Sequence, residues 1–255
     1  MRRGRKPDVK ILAIDTATQL CGVAVLDTVT GRSASRRQAV TTHSEMLLSL
    51  VSCCLDELQL VPGDLGAVAL GAGPGSFTGL RIGCATAKGL CYALSIPLVM
   101  VSSLRALAES FVERGSVLVA LDAFRGQVYA QLVPSLVASP RLKMLLENQP
   151  ELLVDAAWNP DELARLLAPV ASELWLCGGG ISRYPQLGLL PQPMTDVDQA
   201  PDPLVIARLG LERLASGQVA HLASALPTYV TVSAAEASSP VLVQPCGPET
   251  VTWTR

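Results

Sequence analysis

The feature that most constrains the fold is a pattern that the chain contains twice. An apolar run ending in aspartate, a short turn and a second apolar run occupy residues 11–26, and the same order recurs at residues 117–133. Short apolar runs on either side of a turn are typical of a β-hairpin. Asp15 and Asp122, which end the first run of each copy, are separated by a typical domain length. The sequence therefore predicts two related halves, each opening with a hairpin.

After the first hairpin, strand patterns alternate with helix patterns. Strands are predicted at residues 33–39, 67–70 and 97–101. Between them we predict a helix whose apolar side chains recur from Leu47 to Leu58, and a second helix at about residues 78–94. Thr42 and Glu45 have the spacing of a capping box at the start of the first helix. A hairpin followed by this alternation indicates a mixed sheet covered by helices.

The second half has weaker patterns, with helices predicted at residues 161–167 and 203–215 and a strand at residues 174–177. The predicted fold class is α/β: a duplicated ribonuclease-H-like fold of the actin-like ATPase (ASKHA) class, with two mixed-sheet domains covered by helices. The predicted segments are a basic, disordered N-terminal tail (1–9), an N-terminal ribonuclease-H-like domain that carries the dimerisation helices (10–105), a C-terminal ribonuclease-H-like domain (106–229) and a poorly ordered tail (230–255).

The composition excludes several function classes. A net charge of −2 and 4% aromatic residues do not supply the positive field and the stacking rings of a self-sufficient nucleic-acid binder. The longest charge-free apolar stretch, residues 89–104, contains Pro97 and is too short for a membrane span. Seven cysteines without a Cys-x-x-Cys pair indicate reduced thiols. These observations favour a cytoplasmic protein and, if RNA is the substrate, a partner that holds the RNA.

The glycine-rich segment at residues 71–83 does not have the pattern of a phosphate-binding loop. A Walker loop requires a Gly-Lys pair, whereas the first lysine after this segment is Lys88. A dinucleotide fingerprint requires glycine or alanine at Ser76. The segment instead leads into the second predicted helix.

That helix carries two rows of small residues at a spacing of four: Gly79, Gly83 and Ala87 in one row, and Ala85, Gly89 and Ala93 in the other. An interior glycine costs about 1 kcal/mol relative to alanine, and the close approach of another element offsets that cost. One row can pack on the sheet of its own domain. Two rows on different faces favour packing neighbours on both sides of the helix. We predict an intersubunit contact in which this helix packs against the apolar stripe of the first helix.

Five segments resemble the TsaB family in order and spacing: residues 11–18, 42–45, 73–83, 87–90 and 121–129. The resemblance implies a non-catalytic subunit that dimerises with the related catalytic subunit TsaD through its first two helices. TsaD transfers threonylcarbamoyl to the adenosine next to the anticodon of tRNA, and the ATPase TsaE joins the complex. Alone, the chain can pair with itself. The predicted partner-binding residues are Leu47, Val51, Leu55, Gly79, Arg81, Ile82, Gly83, Ala85 and Gly89.

A catalytic role is not predicted. Catalytic relatives hold a metal with two histidines one helical turn apart, but here Leu47 stands one turn after His43, and His221 lies in the other half. No metal and no tightly bound cofactor are expected. Weak ATP or ADP binding near Asp15 and Thr16, at the interface with TsaD, is the only nucleotide contact predicted. The competing hypotheses are a metal-dependent, glycoprotease-like peptidase and a small-molecule kinase of the actin-like class.

Asp15 and Asp122 are open to two interpretations. They can be the metal and phosphate aspartates of an ATPase, or strand-end residues whose carboxylates accept hydrogen bonds from turn amides. The second interpretation is favoured for Asp122, and both remain open for Asp15.

Overall fold

The computed structural model describes residues 8–39, 43–188 and 200–230. The strands in chain order are β1 (Lys10–Asp15), β2 (Leu20–Asp27), β3 (Ser33–Ala39), β4 (Ala67–Gly71), β5 (Leu98–Val101), β6 (Ser116–Asp122), β7 (Val128–Val133), β8 (Ala156–Trp158) and β9 (Leu174–Cys177). The α-helices are α1 (His43–Leu58), α2 (Phe77–Leu94), α3 (Ser103–Glu109), α4 (Pro140–Asn148), α5 (Pro160–Leu167), α6 (Gly179–Arg183), α7 (Pro185–Gly188) and α8 (Pro203–Ala215).

The chain forms two compact units. The first contains the chain up to Ser103 together with Pro201–Pro227, and the second contains Leu104–Ala200. In the first unit the strand order is β3-β2-β1-β4-β5, with β1, β2 and β3 antiparallel and β4 and β5 parallel to β1. In the second unit β8-β7-β6-β9 repeats that order, with β9 parallel to β6. The repeat confirms the predicted duplicated ribonuclease-H-like fold.

Central strand β1 is buried on both faces because helices cover both sides of the first sheet. Leu12 and Ile14 belong to the core that includes side chains of α1 and α2. Ile11 and Ala13 point to the opposite face, since side chains alternate along a strand, and both are fully buried. Helix α8 packs against β1 and its neighbours.

Small residues let α8 approach the sheet closely. A methyl group at Gly210 would lie 2.5 Å from Cβ of Ala69, and one at Gly22 would lie 2.9 Å from Cγ of Pro203. Real Cβ atoms do not approach other atoms so closely. Glycine at these two positions therefore fixes the separation between α8 and the sheet.

The position of α8 corrects one predicted boundary. The predicted C-terminal domain, residues 106–229, includes this helix, but the structure groups it with the first unit. Helix α8 belongs to the first unit because α1 and α2 cover only one face of the first sheet. The opposite face is also apolar, and no helix in the described part of the first hundred residues covers it. Periodicity locates such a helix but does not show which sheet it covers.

In the second unit, α4 and α5 cover one face of the sheet through the buried side chains of Leu142, Leu146, Leu163 and Leu167. Leu104 and Leu107 of α3 pack with Val117 and Val119 on the other face. Sequence patterns did not predict α3, α4, α6, α7 or β8. All other strands and helices were predicted to within a few residues of their observed ends.

Two predictions lie outside the described residues: the tails, except for residues 8, 9 and 230, and the capping box at Thr42. In the described ranges, no helix is both long and apolar enough to span a membrane.

Candidate partner face and strand-end clusters

The first small-residue row of α2 faces the interior of its own unit. A methyl group at Gly83 would overlap Oγ1 of Thr16. That hydroxyl donates a 2.8 Å hydrogen bond to the carbonyl oxygen of Gly79, and Ala87 in the same row is fully buried. This row is therefore explained by close packing of α2 on the end of β1.

The second row lies on the surface. Ala85, Gly89 and Ala93 are exposed, and a side chain placed at Gly89 would meet no atom within 4 Å. Two large side chains on the same helix are also exposed, Tyr92 at 83% and Phe77 at 55%. The result is a helix face with a low backbone ridge beside aromatic side chains, which is a shape that another helix can pack against.

The guanidinium of Arg81 lies over the ring of Phe77, with its carbon 3.8 Å from the ring centre. This cation–π contact holds an exposed aromatic ring and a charge at the amino-terminal end of the same helix face.

The predicted role of the α1 stripe is wrong. Leu47, Val51 and Leu55 are all at most 5% exposed and belong to the core beneath the first sheet. An amphipathic stripe marks the side of a helix that is buried, and here the sheet of the same unit buries it. The large apolar side chain that α1 does expose is Leu48, at 57%.

The nine predicted partner residues thus separate into three groups. Burial within their own unit removes Leu47, Val51, Leu55, Gly79 and Gly83 from any partner surface. Ile82 is half-buried and packs on the same core. Arg81, Ala85 and Gly89 are exposed, and their contact with a partner stays a prediction.

Asp15 lies at the carboxyl end of β1, where a parallel sheet usually presents ligand-binding groups. Its side chain is only 1% exposed. Oδ2 accepts a 2.7 Å hydrogen bond from the hydroxyl of Ser103, and Oδ1 accepts a 3.2 Å bond from the amide of Ala17. Burial raises the pKa of this carboxyl to about 6, although both hydrogen bonds lower it.

The glycine-rich loop closes over this carboxylate. A methyl group at Gly71 would overlap Oδ2 of Asp15, and one at Gly75 would overlap the carbonyl oxygen of Ala17. The loop amides also have partners inside the protein: Gly73 donates to Oγ of Ser103 at 3.1 Å, and Ser76 donates to the carbonyl of Ala17 at 2.7 Å. A phosphate-binding loop needs such amides free, so the geometry here is that of a packed turn.

Thr16, the second predicted nucleotide contact, has no exposed surface. Its hydroxyl is turned to the backbone of α2 by the bond to Gly79. The structure therefore brings Asp15 and Thr16 to one strand end but directs both side chains into the protein.

Asp122, at the end of β6 in the second unit, is more accessible. Its Oδ1 accepts hydrogen bonds from the amide of Phe124 at 2.9 Å and the hydroxyl of Tyr184 at 3.0 Å. Burial and the bond to this carboxylate raise the pKa of the Tyr184 phenol, which keeps it a donor at neutral pH. The bond from a turn amide confirms the strand-end interpretation of Asp122. Gly180 of α6 approaches the backbone of Ala120 so closely that a methyl group would lie 2.9 Å from its carbonyl carbon.

Within the residues that the structure describes, no group of three or more His, Cys, Asp or Glu side chains is placed to hold a metal ion. His221 lies 3.5 Å from Oγ of Ser224, its neighbour in a turn.

Known proteins share both sequence and fold with this chain. A family model described as TsaD, tRNA N6-adenosine threonylcarbamoyltransferase, matches residues 35–137. The tRNA threonylcarbamoyladenosine biosynthesis protein TsaB of Bacillus subtilis is 31% identical over 235 residues, which cover 89% of this chain and 96% of that protein. The chain belongs to the TsaB family. The resemblance predicted from the five motifs is confirmed.

Other members of the TsaB family match a shorter region. The TsaB protein of Escherichia coli is 38% identical over 124 residues, 48% of this chain and 53% of that protein, so the matched region spans about half the length of this relative. A solved structure named YeaZ from Pseudomonas aeruginosa superposes with a TM-score of 0.72 at 27% identity, covering 87% of this chain and all of that one. The fold of this TsaB family member is thus shared over most of its length.

Proposed function

We propose that this chain is a non-catalytic subunit that binds and activates TsaD for the transfer of threonylcarbamoyl to the adenosine next to the anticodon of tRNA. Membership of the TsaB family supports the pathway, since relatives are named as biosynthesis proteins of this modified nucleoside. The observation that carries the proposal is the exposed face of α2 formed by Ala85, Gly89 and Ala93.

This face suits a helix of a partner for two physical reasons. Glycine and alanine expose nearly bare backbone, so a second helix can approach closely and gain dispersion contacts along its length. Tyr92 and Phe77 stand beside the ridge, and aromatic side chains dominate the binding energy at interfaces because each buries a large area. Activation is a population shift: this chain binds the catalytically competent conformation of TsaD more tightly than its other conformations, so the competent one becomes more populated.

The interior position of Asp15 supports a non-catalytic role. A general acid, a general base or a metal-binding aspartate must reach the substrate or the ion, whereas both oxygens of this carboxyl are engaged inside the protein. We further propose that ATP or ADP binds the isolated chain only weakly. The nucleotide site then lies on the surface that meets TsaD in the complex. Contact with TsaE, self-pairing of the isolated chain and access to tRNA through the complex with TsaD belong to the same proposal.

The test uses Gly89→Leu, because its effects on the monomer and on the complex have opposite signs. Nothing within 4 Å opposes a side chain at Gly89, and replacing an interior helical glycine stabilises a helix by about 0.5–1 kcal/mol. On the partner side the leucine blocks close approach and costs about 1–3 kcal/mol. We therefore expect a higher melting temperature for the isolated chain together with a roughly tenfold or larger loss of affinity for TsaD.

The matched control is Ala215→Leu at an exposed end of α8, which places a leucine on another helix of the same unit. The measurements are co-purification with TsaD from the same organism and threonylcarbamoylation of tRNA with and without this chain. If Gly89→Leu binds and activates TsaD as well as the wild type, the α2 face is not the contact and the proposal fails.

A further inference from the structure

The tip of the β6–β7 hairpin has an unusual backbone. Phe124, Arg125 and Gly126 follow one another with φ values of 61°, 52° and 79°. Left-handed backbone is natural for glycine but unfavourable for residues with a Cβ, and most of all for bulky ones. A strained conformation of two successive large residues persists only where the surrounding structure enforces it, and such positions cluster at functional sites.

Four hydrogen bonds enforce this conformation. Oδ1 of Asp122 accepts from the amide of Phe124 at 2.9 Å and from the hydroxyl of Tyr184 at 3.0 Å, which ties the tip to the end of α6. The amide of Ala123 donates to the carbonyl of Gln127 at 3.0 Å, and the amide of Gln127 donates to the carbonyl of Phe124 at 3.1 Å. The tip is therefore preformed.

The enforced conformation turns apolar surface toward water instead of burying it. The side chain of Phe124 is 65% exposed, and Arg125 and Gly126 are exposed beside it. A second guanidinium is close by: Nε of Arg183 lies 4.0 Å from Oδ2 of Asp122, and its side chain is 71% exposed. The surface thus combines one aromatic ring and two arginines with a single carboxylate that already accepts two hydrogen bonds.

We propose that this tip, Asp122 to Gly126 with Arg183, contacts single-stranded RNA in the complex with TsaD. The ring of Phe124 stacks on an unpaired base, and the guanidinium groups contact neighbouring phosphates. RNA fits better than a protein pocket, because the ring is 65% exposed in a segment that also exposes Arg125 and lies close to the exposed guanidinium of Arg183. The inference deepens the proposed function and rests on it, since it assigns tRNA to a named surface of the assembled complex.

The net charge of −2 does not prevent a local contact with RNA at this tip. One ring and two arginines do not hold RNA alone, but they add to a complex whose other subunit already binds it. The contact is therefore visible as a change in the tRNA affinity of the complex.

The experiment measures binding of unmodified tRNA to the co-purified complex with TsaD, by fluorescence anisotropy at several salt concentrations. Phe124→Ala removes one stacking ring and is expected to weaken binding about fivefold to a hundredfold. Phe124→Trp is expected to restore it. Arg125→Ala is expected to weaken binding and to reduce the slope of log affinity against log salt by about 0.7, the value for one phosphate contact on a single strand.

Matched controls come from the same unit. Leu136→Ala removes another exposed apolar side chain, and Arg141→Ala removes an exposed arginine at the start of α4. Both are expected to leave tRNA affinity unchanged. Unchanged affinity with Phe124→Ala and Arg125→Ala, or equal losses in the controls, overturns the inference.

Co-purification with TsaD separates the two proposals. If Phe124→Ala lowers recovery of TsaD itself, the tip is a protein contact and the RNA assignment is overturned, while the proposed function stands. If the wild-type chain does not bind TsaD at all, the proposed function fails and this inference fails with it.

Discussion

Replacing Asp15 by asparagine tests whether its carboxyl is sealed inside the first unit. The wild-type carboxyl is buried, and the burial raises its pKa from 3.8 to about 6. Asparagine keeps the size and an acceptor oxygen for the amide of Ala17, but it cannot ionise. The substitution therefore removes the proton equilibrium and largely preserves the packing around Ser103 and Gly71.

The magnitude follows from the size of the shift. One pKa unit corresponds to about 1.4 kcal/mol, so a shift of this size changes the free energy of unfolding by about 3 kcal/mol. Between pH 4 and pH 6 the folded chain retains a proton on Asp15 that the unfolded chain has lost, so this contribution to stability falls as pH rises. Above about pH 6 the carboxyl is ionised in both states and the loss is complete.

Urea unfolding followed by far-UV circular dichroism at intervals from pH 4 to pH 8 measures this difference. The stability of Asp15→Asn relative to the wild type should rise by about 3 kcal/mol between pH 4 and pH 7. Asp56→Asn, at an exposed carboxylate of α1, serves as the control and should follow the wild type. Parallel curves for the wild type and Asp15→Asn would refute the conclusion that a buried carboxyl with a raised pKa lies at this strand end.

Two further outcomes follow from the same region. Gly83→Ala should destabilise the isolated chain by about 1–3 kcal/mol, because the added methyl group overlaps the hydroxyl of Thr16. In a double-mutant cycle measured by thermal denaturation, the variant that also carries Thr16→Ala should lose less stability than the sum of the two single variants. Isothermal titration calorimetry of the isolated chain with ATP and Mg²⁺ should give a dissociation constant of about 1 mM or weaker, because the amides of Gly73 and Ser76 already donate hydrogen bonds inside the protein. Micromolar binding would reopen the ATPase interpretation of Asp15.

Local patterns predicted the fold because the hairpin pattern occurs in both halves and because strand and helix patterns alternate clearly in the first half. They predicted the small-residue rows of α2 as well, but not their separate roles. Spacing shows that residues share a helix face, whereas only the packed structure shows that Gly83 meets Thr16 and that Gly89 meets nothing. For the same reason the stripe of α1 was recognised but assigned to the wrong neighbour.

The hairpin tip could not have been found from residue types. Left-handed turns are usually marked by glycine, asparagine or aspartate, and here phenylalanine and arginine occupy two of the three positions. The enforcing contact from Tyr184 comes from a distant part of the chain. The hydrogen bonds of Asp122, by contrast, begin with its neighbour two residues on, so its role was open to sequence reasoning.

The position of α8 has a consequence for biosynthesis. The first unit is completed by Pro201–Pro227, so a ribosome must translate the whole of Leu104–Ala200 before that helix can dock. Until then, the apolar surface around Ile11, Ala13 and Ala69 is exposed in the nascent chain, because α8 is not yet packed on it. Newly made chains should therefore engage chaperones during this interval, and cutting the gene after the first hundred codons should yield an aggregating fragment instead of an independent domain.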